Sequence, residues 1–229
     1  MHVPGCGVSV TAFFVGFILA GTITALVIQK KNKNRVNLFI DHEFAFGIGL
    51  NAALTLKKGQ YLSDDAIATL KNEDAIEQAY QKSLHFLSFR ARSEQEIKRY
   101  LQKKAVDDPI ITVVIDRLHQ QNYLDDTDFA RQWVASRSRS KPKGKRALRY
   151  ELRQKGLTET AIEHAIATVD EFDLAWRAAQ KALYRWKSLD TTVRHRKITA
   201  FLARRGFSYE VISDTIAKVE AFLIAEEND

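Results

Sequence analysis

The chain has 229 residues, 45% of them hydrophobic and 28% charged, which excludes wholesale disorder and allows one or two domains or a short repeat array. Lys and Arg outnumber Asp and Glu by 35 to 28, giving a formal charge of +7, which points toward a nucleic-acid, phosphate or acidic-protein partner. A single cysteine, Cys6, excludes an intrachain disulfide framework and a cysteine-built zinc cage and fits a reducing, cytoplasmic setting.

The chain opens on an apolar stretch. Val8 to Ile28 carries no charge and is followed by Lys30, Lys31 and Lys33. By length it could span a bilayer. Its second half, Thr22 to Gln29, alternates and is rich in Ile, Val and Thr, as a strand would be. That leaves Val8 to Gly21, too short to cross, so no transmembrane helix and no membrane partner is expected. No basic segment precedes the apolar run, which argues against a secretory signal. Residues 1–21 are read as a dispensable leader or tail, or as a start assigned too far upstream.

Residues 22–72 are expected to form a small β-hairpin or three-stranded sheet plus helices. TITALVIQ leads to the polar turn KKNKNR, then VNLFID, a break at His42-Glu43, and FAFGIGL. So small a sheet needs a covering helix. NAALTLKKG and YLSDDAIATLKN are the candidates, with Ser63 as an N-cap. Phe44-Ala45-Phe46-Gly47 has the aromatic content of a base-stacking sheet, but packing under a covering helix is the expected use.

From residue 73 onward the pattern is helical, and one phrase occurs three times about fifty residues apart. Anchored on Leu101, Leu152 and Leu202, each copy places Ile at the next frame position (Ile111, Ile162, Ile212). It repeats Ile at the following one (Ile115, Ile166, Ile216) and ends on Leu118, Val169 or Val219. Three three-helix repeats are expected, over 73–125, 126–169 and 170–229, making a mainly α fold with a long binding surface. The first helices begin near Asp74, Asp126 and Asp170. Their apolar faces carry Tyr80, Leu84 and Leu87, then Phe129 and Trp133, then Trp176, Ala179 and Leu183. Trp186 belongs to the same core set unless its basic neighbours draw it to the surface. Ser93 with Glu96 makes a capping box, and Thr158 and Ser208 suit N-caps. Gly156 and Gly206 fit helix stops; Ala105 in the first copy predicts a different turn there. In Tyr123-Leu124-Asp125-Asp126 the carboxylates could hold a cation. Capping by Asp126 or Thr127 of a helix starting at Asp128-Phe129 is the expected role, with Tyr123 and Leu124 packing inward.

The basic residues are the leading site candidates. Between Phe129 and Lys155 stand Arg131, Arg137, Arg139, Lys141, Lys143, Lys145, Arg146, Arg149, Arg153 and Lys155, opposed only by Glu151. Such a run attracts polyanions and pairs with carboxylates. A second cluster comprises Arg185, Lys187, Arg194, Arg196, Lys197, Arg204 and Arg205. The six histidines are scattered without zinc-helix spacing, and no phosphate-cradling Gly-rich loop exists. No catalytic residue, metal, cofactor or small-molecule substrate is expected.

Four stretches carry a family resemblance: QKKNKNRVNLFIDHEFAFGI from Gln29, LSFRARSEQEIKRYL from Leu87, LHQQNYLDDTDFARQWVASR from Leu118 and KPKGKRALRYELRQKGL from Lys141. In order and content they resemble the RecX family, regulators of the RecA recombinase, over about residues 22–220. Asn122 stands where the family usually has Gly, and Lys141-Pro142-Lys143 replaces a Gly-Pro pair. The resemblance implies a curved body of tandem three-helix units that binds the groove of a RecA–DNA filament. It would inhibit ATPase, strand exchange and coprotease activity in recombination, DNA repair and the SOS response. It also implies weak, sequence-independent contact with single- or double-stranded DNA, and no enzymatic chemistry. The alternative is a direct DNA-binding regulator that acts without RecA.

Overall fold

The computed structural model describes residues 20–228. The expectations for residues 1–19 of the leader lie outside them. The chain divides into two bodies, with the division inside one helix after Gln78; each is described by itself.

The first body is a four-stranded antiparallel sheet in the order β3-β2-β1-β4, formed by β1 (Gly21–Ile28), β2 (Arg35–Ile40), β3 (Glu43–Gly49) and β4 (Tyr61–Leu62). The fourth strand was not expected; it is two residues long, too short to carry a periodic signal, and pairs with Gly21 and Thr22. The β2–β3 turn is Asp41-His42, both at positive φ, rather than His42-Glu43. Two left-handed residues give the turn whose twist matches a two-residue hairpin. The ladder shifts register at Thr24 and again at Ala45, on either side of Phe39. These bulges let Ile23 and Leu26, three apart, both face inward. The inner face buries Ile23, Leu38, Ile40, Val36 and Ile48 against Ala53 of α1 (Leu50–Ala53) and Ile67 of α2 (Asp64–Leu87).

Helix α2 begins ten residues before the expected Asp74. Ser63 does cap it, its hydroxyl accepting from the Ala66 N–H at 3.2 Å. No Gly or Pro interrupts the sequence from there to Leu87, so the helix runs on through Asp74. That carboxylate instead accepts from both Arg35 Nη atoms and from the Gly49 N–H.

The second body contains the repeats. The end of α2 meets α3 (Glu94–Lys103) through stacking of Phe86 on Tyr100 and α4 (Asp108–Gln120) through Arg117 over the Tyr80 ring. Then come α5 (Asp126–Ser140), α6 (Lys145–Gln154) and α7 (Glu159–Ala167), and finally α8 (Glu171–Leu183), α9 (Thr191–Arg204) and α10 (Tyr209–Asn228). The repeat frame is the core. Leu101, Leu152 and Leu202 are fully buried, as are Ile111, Ile162 and Ile212. Ile115, Ile166, Leu118 and Val219 are also buried; Ile216 and Val169 are half-buried. The expected caps at Ser93, Thr158 and Ser208 are present.

Two local expectations fail. The first-copy turn does not differ: Ala105 takes φ 54°, alongside Gly156 at 80° and Gly206 at 81°. All three turns close with the same bond, from Val106 N to Leu101 O, Leu157 N to Leu152 O, and Phe207 N to Leu202 O. The shared tertiary frame overrides the steric cost to alanine. Asn122 also sits at positive φ (57°), a conformation asparagine tolerates, so it replaces glycine without changing that turn. At the start of α5, Asp125 is the cap, accepting from Asp128 N at 2.9 Å. Leu124 is buried but Tyr123 is exposed.

Candidate partner-binding surface

The second helices of the repeats meet end to end. Ser93, the N-cap of α3, donates its hydroxyl to Lys155 O at the end of α6 (2.7 Å). Gly144, the N-cap of α6, donates its N–H to Arg205 O at the end of α9 (3.0 Å). Beside each junction a first-residue N–H reaches the first residue of the next repeat: Glu94 N to Asp126 Oδ1 (3.0 Å) and Lys145 N to Glu171 Oε1 (2.7 Å). The approach is close. A Cβ on Gly144 would lie 2.3 Å from Gly206 O. Each junction sets a helix N-terminus on a helix C-terminus, so opposite dipole ends touch. Asp126 therefore bonds across a repeat boundary. Burial raises its pKa; the bond from Glu94 N opposes the rise and the Glu94 carboxylate adds to it.

This stacking aligns an outward stripe that is exposed except at the half-buried Gln95. Counting from the three buried leucines, equivalent outward positions are Gln95, Arg99 and Lys103 on α3, Arg146, Tyr150 and Gln154 on α6, and Arg196, Ala200 and Arg204 on α9. The positions recur every four residues, one face of a helix. No carboxylate falls on the stripe. Arg99 Nη1 reaches Gln154 O across the α3–α6 junction (3.4 Å). Arg99, Lys103 and Tyr150 were not among the sequence candidates. They lie outside, or between, the cations of the dense run, and only alignment on the leucine anchors would have found them.

The first basic run is largely neutralised. Glu151 binds Trp133 Nε1 and Arg137 Nε, each at 2.8 Å, and pairs with Lys143. Burial would raise its pKa; the hydrogen bonds from Lys143, Arg137 and Trp133 prevail and lower it. Arg149 makes a two-pronged pair with Glu163 (2.5 and 3.0 Å), and Arg153 another with Glu159 (2.9 and 2.7 Å). Arg131 pairs with Asp128. Lys155 pairs with Glu96 Oε1 at 2.6 Å, and Arg90 grips both oxygens of that carboxylate, at 2.9 and 3.0 Å. Burial would raise Glu96, yet the bonds from Arg90 and Lys155 bring it down to about 2. Arg139, Lys141, Lys145 and Arg146 make no ion pair among the described residues.

In the second cluster Arg194 does not belong to the surface. It is buried, its Nε and Nη2 clamped on Glu220 (2.9 and 2.6 Å) and its Nη1 on Leu189 O (2.8 Å). The anchor count places Arg194 where Ser93 and Gly144 cap α3 and α6. Helix α9 has 14 residues where those have 10, so it starts about one turn earlier and Arg194 lies inside it. Arg185, Lys187, Arg196, Lys197 and Arg204 are exposed and make no ion pair among the described residues. The guanidinium of Arg185 lies over Tyr184 and Trp186; that of Arg205 lies over Phe201. Arg205 Nη1 also donates to Pro142 O at 3.0 Å, between Lys141 and Lys143. Burial, reinforced by Arg185, lowers the Arg205 pKa. The two clusters, separate in sequence, thus meet at the α6–α9 junction.

Four family models match in chain order: Regulatory protein RecX N-terminal domain over residues 21–63, and the first, second and third RecX three-helix domains over 79–118, 125–166 and 169–216. The chain belongs to the RecX family. It is 34% identical over 203 residues to the Regulatory protein RecX of Bacillus subtilis (strain 168), covering 86% of this chain and 77% of that protein. Against the protein of the same name from Clostridium botulinum (strain Eklund 17B / Type B) it is 32% identical over 209 residues, 87% of this chain and 97% of the other. A crystal structure of regulatory protein RecX superposes with a TM-score of 0.69 at 28% identity, covering 86% of this chain and all of that one, 100%. RecX from Lactobacillus salivarius shares the fold, with a TM-score of 0.60 at 22% identity over 65% of this chain and 99% of the other. RecX is a regulatory family, and the three tandem three-helix domains are the repeats described above. Among the described residues no helix is long and apolar enough to cross a membrane.

Proposed function

We propose that this chain regulates RecA by binding along the groove of the RecA–DNA filament, acting as a non-enzymatic inhibitor in the cytoplasm. The observation that carries the reading is the row of end-to-end second helices with its stripe of outward cations. A filament is a linear, repeating, polyanionic partner, and a linear repeating cationic ridge complements it. The unpaired members, Arg139, Lys141, Lys145 and Arg146 with Arg185, Lys187, Arg196, Lys197 and Arg204, are the proposed contact set. Arg99 and Lys103 extend it. Arg131, Arg137, Lys143, Arg149, Arg153 and Lys155 hold the surface in shape through their acids, and Arg205 ties the two clusters together.

The test is RecA ATPase on single-stranded DNA, with and without the protein, beside titrations against naked DNA, RecA alone and the assembled filament. Inhibition with preferential filament binding, weakened by salt, supports the reading. Charge reversal at Arg146, Arg196 and Arg204 together should weaken filament binding at least about tenfold and flatten the salt slope. Equal affinity for naked DNA and filament, with no effect on ATPase, would favour a direct DNA-binding regulator.

A further inference from the structure

The first body holds a surface that the filament reading does not use. Its sheet has one buried face and one outer face. The outer rows are Ala25, Phe39 and Phe44, then Val27, Asn37 and Gly47, then Gln29 and Arg35. Phe44 is 59% exposed and Val27 48% exposed. Phe39 and Phe44 meet edge to face at 5.9 Å. The expectation that the Phe44 segment serves only packing holds for Phe46, which lies against the inner core under Lys71. It fails for Phe44.

Next to the aromatic pair lies a flat polar strip. Gln29 Nε2 donates to Asn37 Oδ1 at 2.7 Å. That bond leaves one amide oxygen and one amide NH₂ unspent, an acceptor beside a donor. Gly47 leaves room for the strip: a Cβ there would sit 2.9 Å from Gln29 Nε2, and the amide would have to shift. The β1–β2 hairpin tip beyond it carries Lys30, Lys31 and Lys33, all exposed. The Asp74 carboxylate at the tip end is spent on both Arg35 Nη atoms and the Gly49 N–H; the other acids, Asp41 and Glu43, sit at the opposite end, and Asp41 Oδ1 accepts from the Thr22 N–H. Charge therefore runs along the face from negative beside the aromatics to positive at the tip.

We propose that this outer face binds a short stretch of single-stranded nucleic acid. Bases stack on Phe44 and Phe39, the Gln29–Asn37 amide pair meets a base edge, and the lysine tip takes the backbone phosphates. The arrangement suits unpaired bases because a duplex hides the π-faces and base edges that these groups address. An acidic protein would use the lysines but has no need of the exposed ring pair. This proposal does not depend on the filament reading.

The experiment uses the full chain, labelled oligo-dT, oligo-U and a duplex of equal length, and the variants Phe44→Ala and Lys30→Glu/Lys31→Glu/Lys33→Glu. Phe44 is exposed, so its variant should melt like the parent. Phe44→Ala should weaken single-strand binding at least about fivefold, the effect of removing one base–aromatic stack, while duplex binding stays unchanged. The lysine variant should weaken binding and flatten its salt dependence. Photocrosslinking with 5-iodouracil-substituted strands should modify Phe39 or Phe44. The dT and U arms assign the ligand to DNA, RNA or both. Unchanged single-strand affinity in Phe44→Ala, or crosslinks confined to α3, α6 and α9, would overturn the proposal; the latter outcome would leave the filament reading standing.

Discussion

Helices α6 and α9 hold equivalent places in successive repeats, yet they handle charge in opposite ways. On α6, Arg149 and Arg153 are each gripped by a glutamate of α7, which leaves Lys145 and Arg146 as its cations without an ion pair among the described residues. On α9 the arginine that is gripped, Arg194, is buried, and the outward cations Arg196, Lys197 and Arg204 carry no ion pair among the described residues. The denser sequence run therefore leaves fewer free charges per cation than the sparser one. A run of like charges measures what the chain carries; the partners supplied by the next helix decide what it presents.

The sharpest test of this equivalence is the core beneath both helices. Leu152→Ala and Leu202→Ala remove fully buried side chains at matching positions. Each should cost about 2–5 kcal/mol in denaturant unfolding. A negligible loss at either would break the repeat correspondence. The next largest effect separates the arginines. Arg194→Ala removes a buried guanidinium and leaves the partly buried Glu220 carboxylate to His195 Nε2 at 3.1 Å, and should cost about 3 kcal/mol. Arg149→Ala removes a pair between a half-buried arginine and an exposed glutamate and should cost less than about 1 kcal/mol. Similar losses from the two would undo the contrast between a buried clamp and a surface pair.

The turns offer a smaller effect of opposite sign. Ala105 adopts the left-handed conformation that Gly156 and Gly206 take without steric cost. Ala105→Gly should stabilise the protein by about 0.5–1 kcal/mol, read as a rise in the urea midpoint. Gly144→Ala should do the reverse, because its methyl would collide with the Gly206 carbonyl. The last prediction concerns acid. Glu96, held at about 2, and Glu151, lowered in the same direction, contribute stability that is fully present above the ordinary carboxylate pKa. It is lost as pH falls from about 4.5 toward about 2. Asp126, raised by burial, works the other way: its protonation favours the folded state and offsets part of the loss. Denaturant stability measured from pH 6 to 2.5 should decline below about pH 4.5. Glu96→Gln should flatten that decline; an unchanged slope would show that the carboxylate is not coupled to folding.

Much of the fold was legible because it rests on local patterns. The leucine and isoleucine frame, the caps at Ser63, Ser93, Thr158 and Ser208, and the strand character of Thr22 to Ile28 all follow from spacing and side-chain chemistry within a few residues. What escaped was either too short to have a period, as with β4, or fixed by distant contacts. Ala105 reads as a poor helix stop, yet the repeat imposes the turn. Tyr123 reads as core, yet it is exposed at the end of α4. Of the candidate site, the residue types were visible and their states were not. Arg194 and Arg204 look alike in sequence, though one is a core residue and the other lies on the stripe.

A mainly helical protein of three repeats, a small N-terminal sheet, an excess of basic charge and the resemblance to RecX can all be read from the chain alone. These depend on composition, periodicity and local motifs, which are properties of the chain. Packing between distant segments sets which cations are free, brings two separate basic runs together where Arg205 reaches Pro142, and turns Phe44 out while Phe46 faces in. The physical reason is the same in each case. A charge or a ring acquires its state from whatever packs against it, and those neighbours come from helices and strands that the local sequence cannot bring into view.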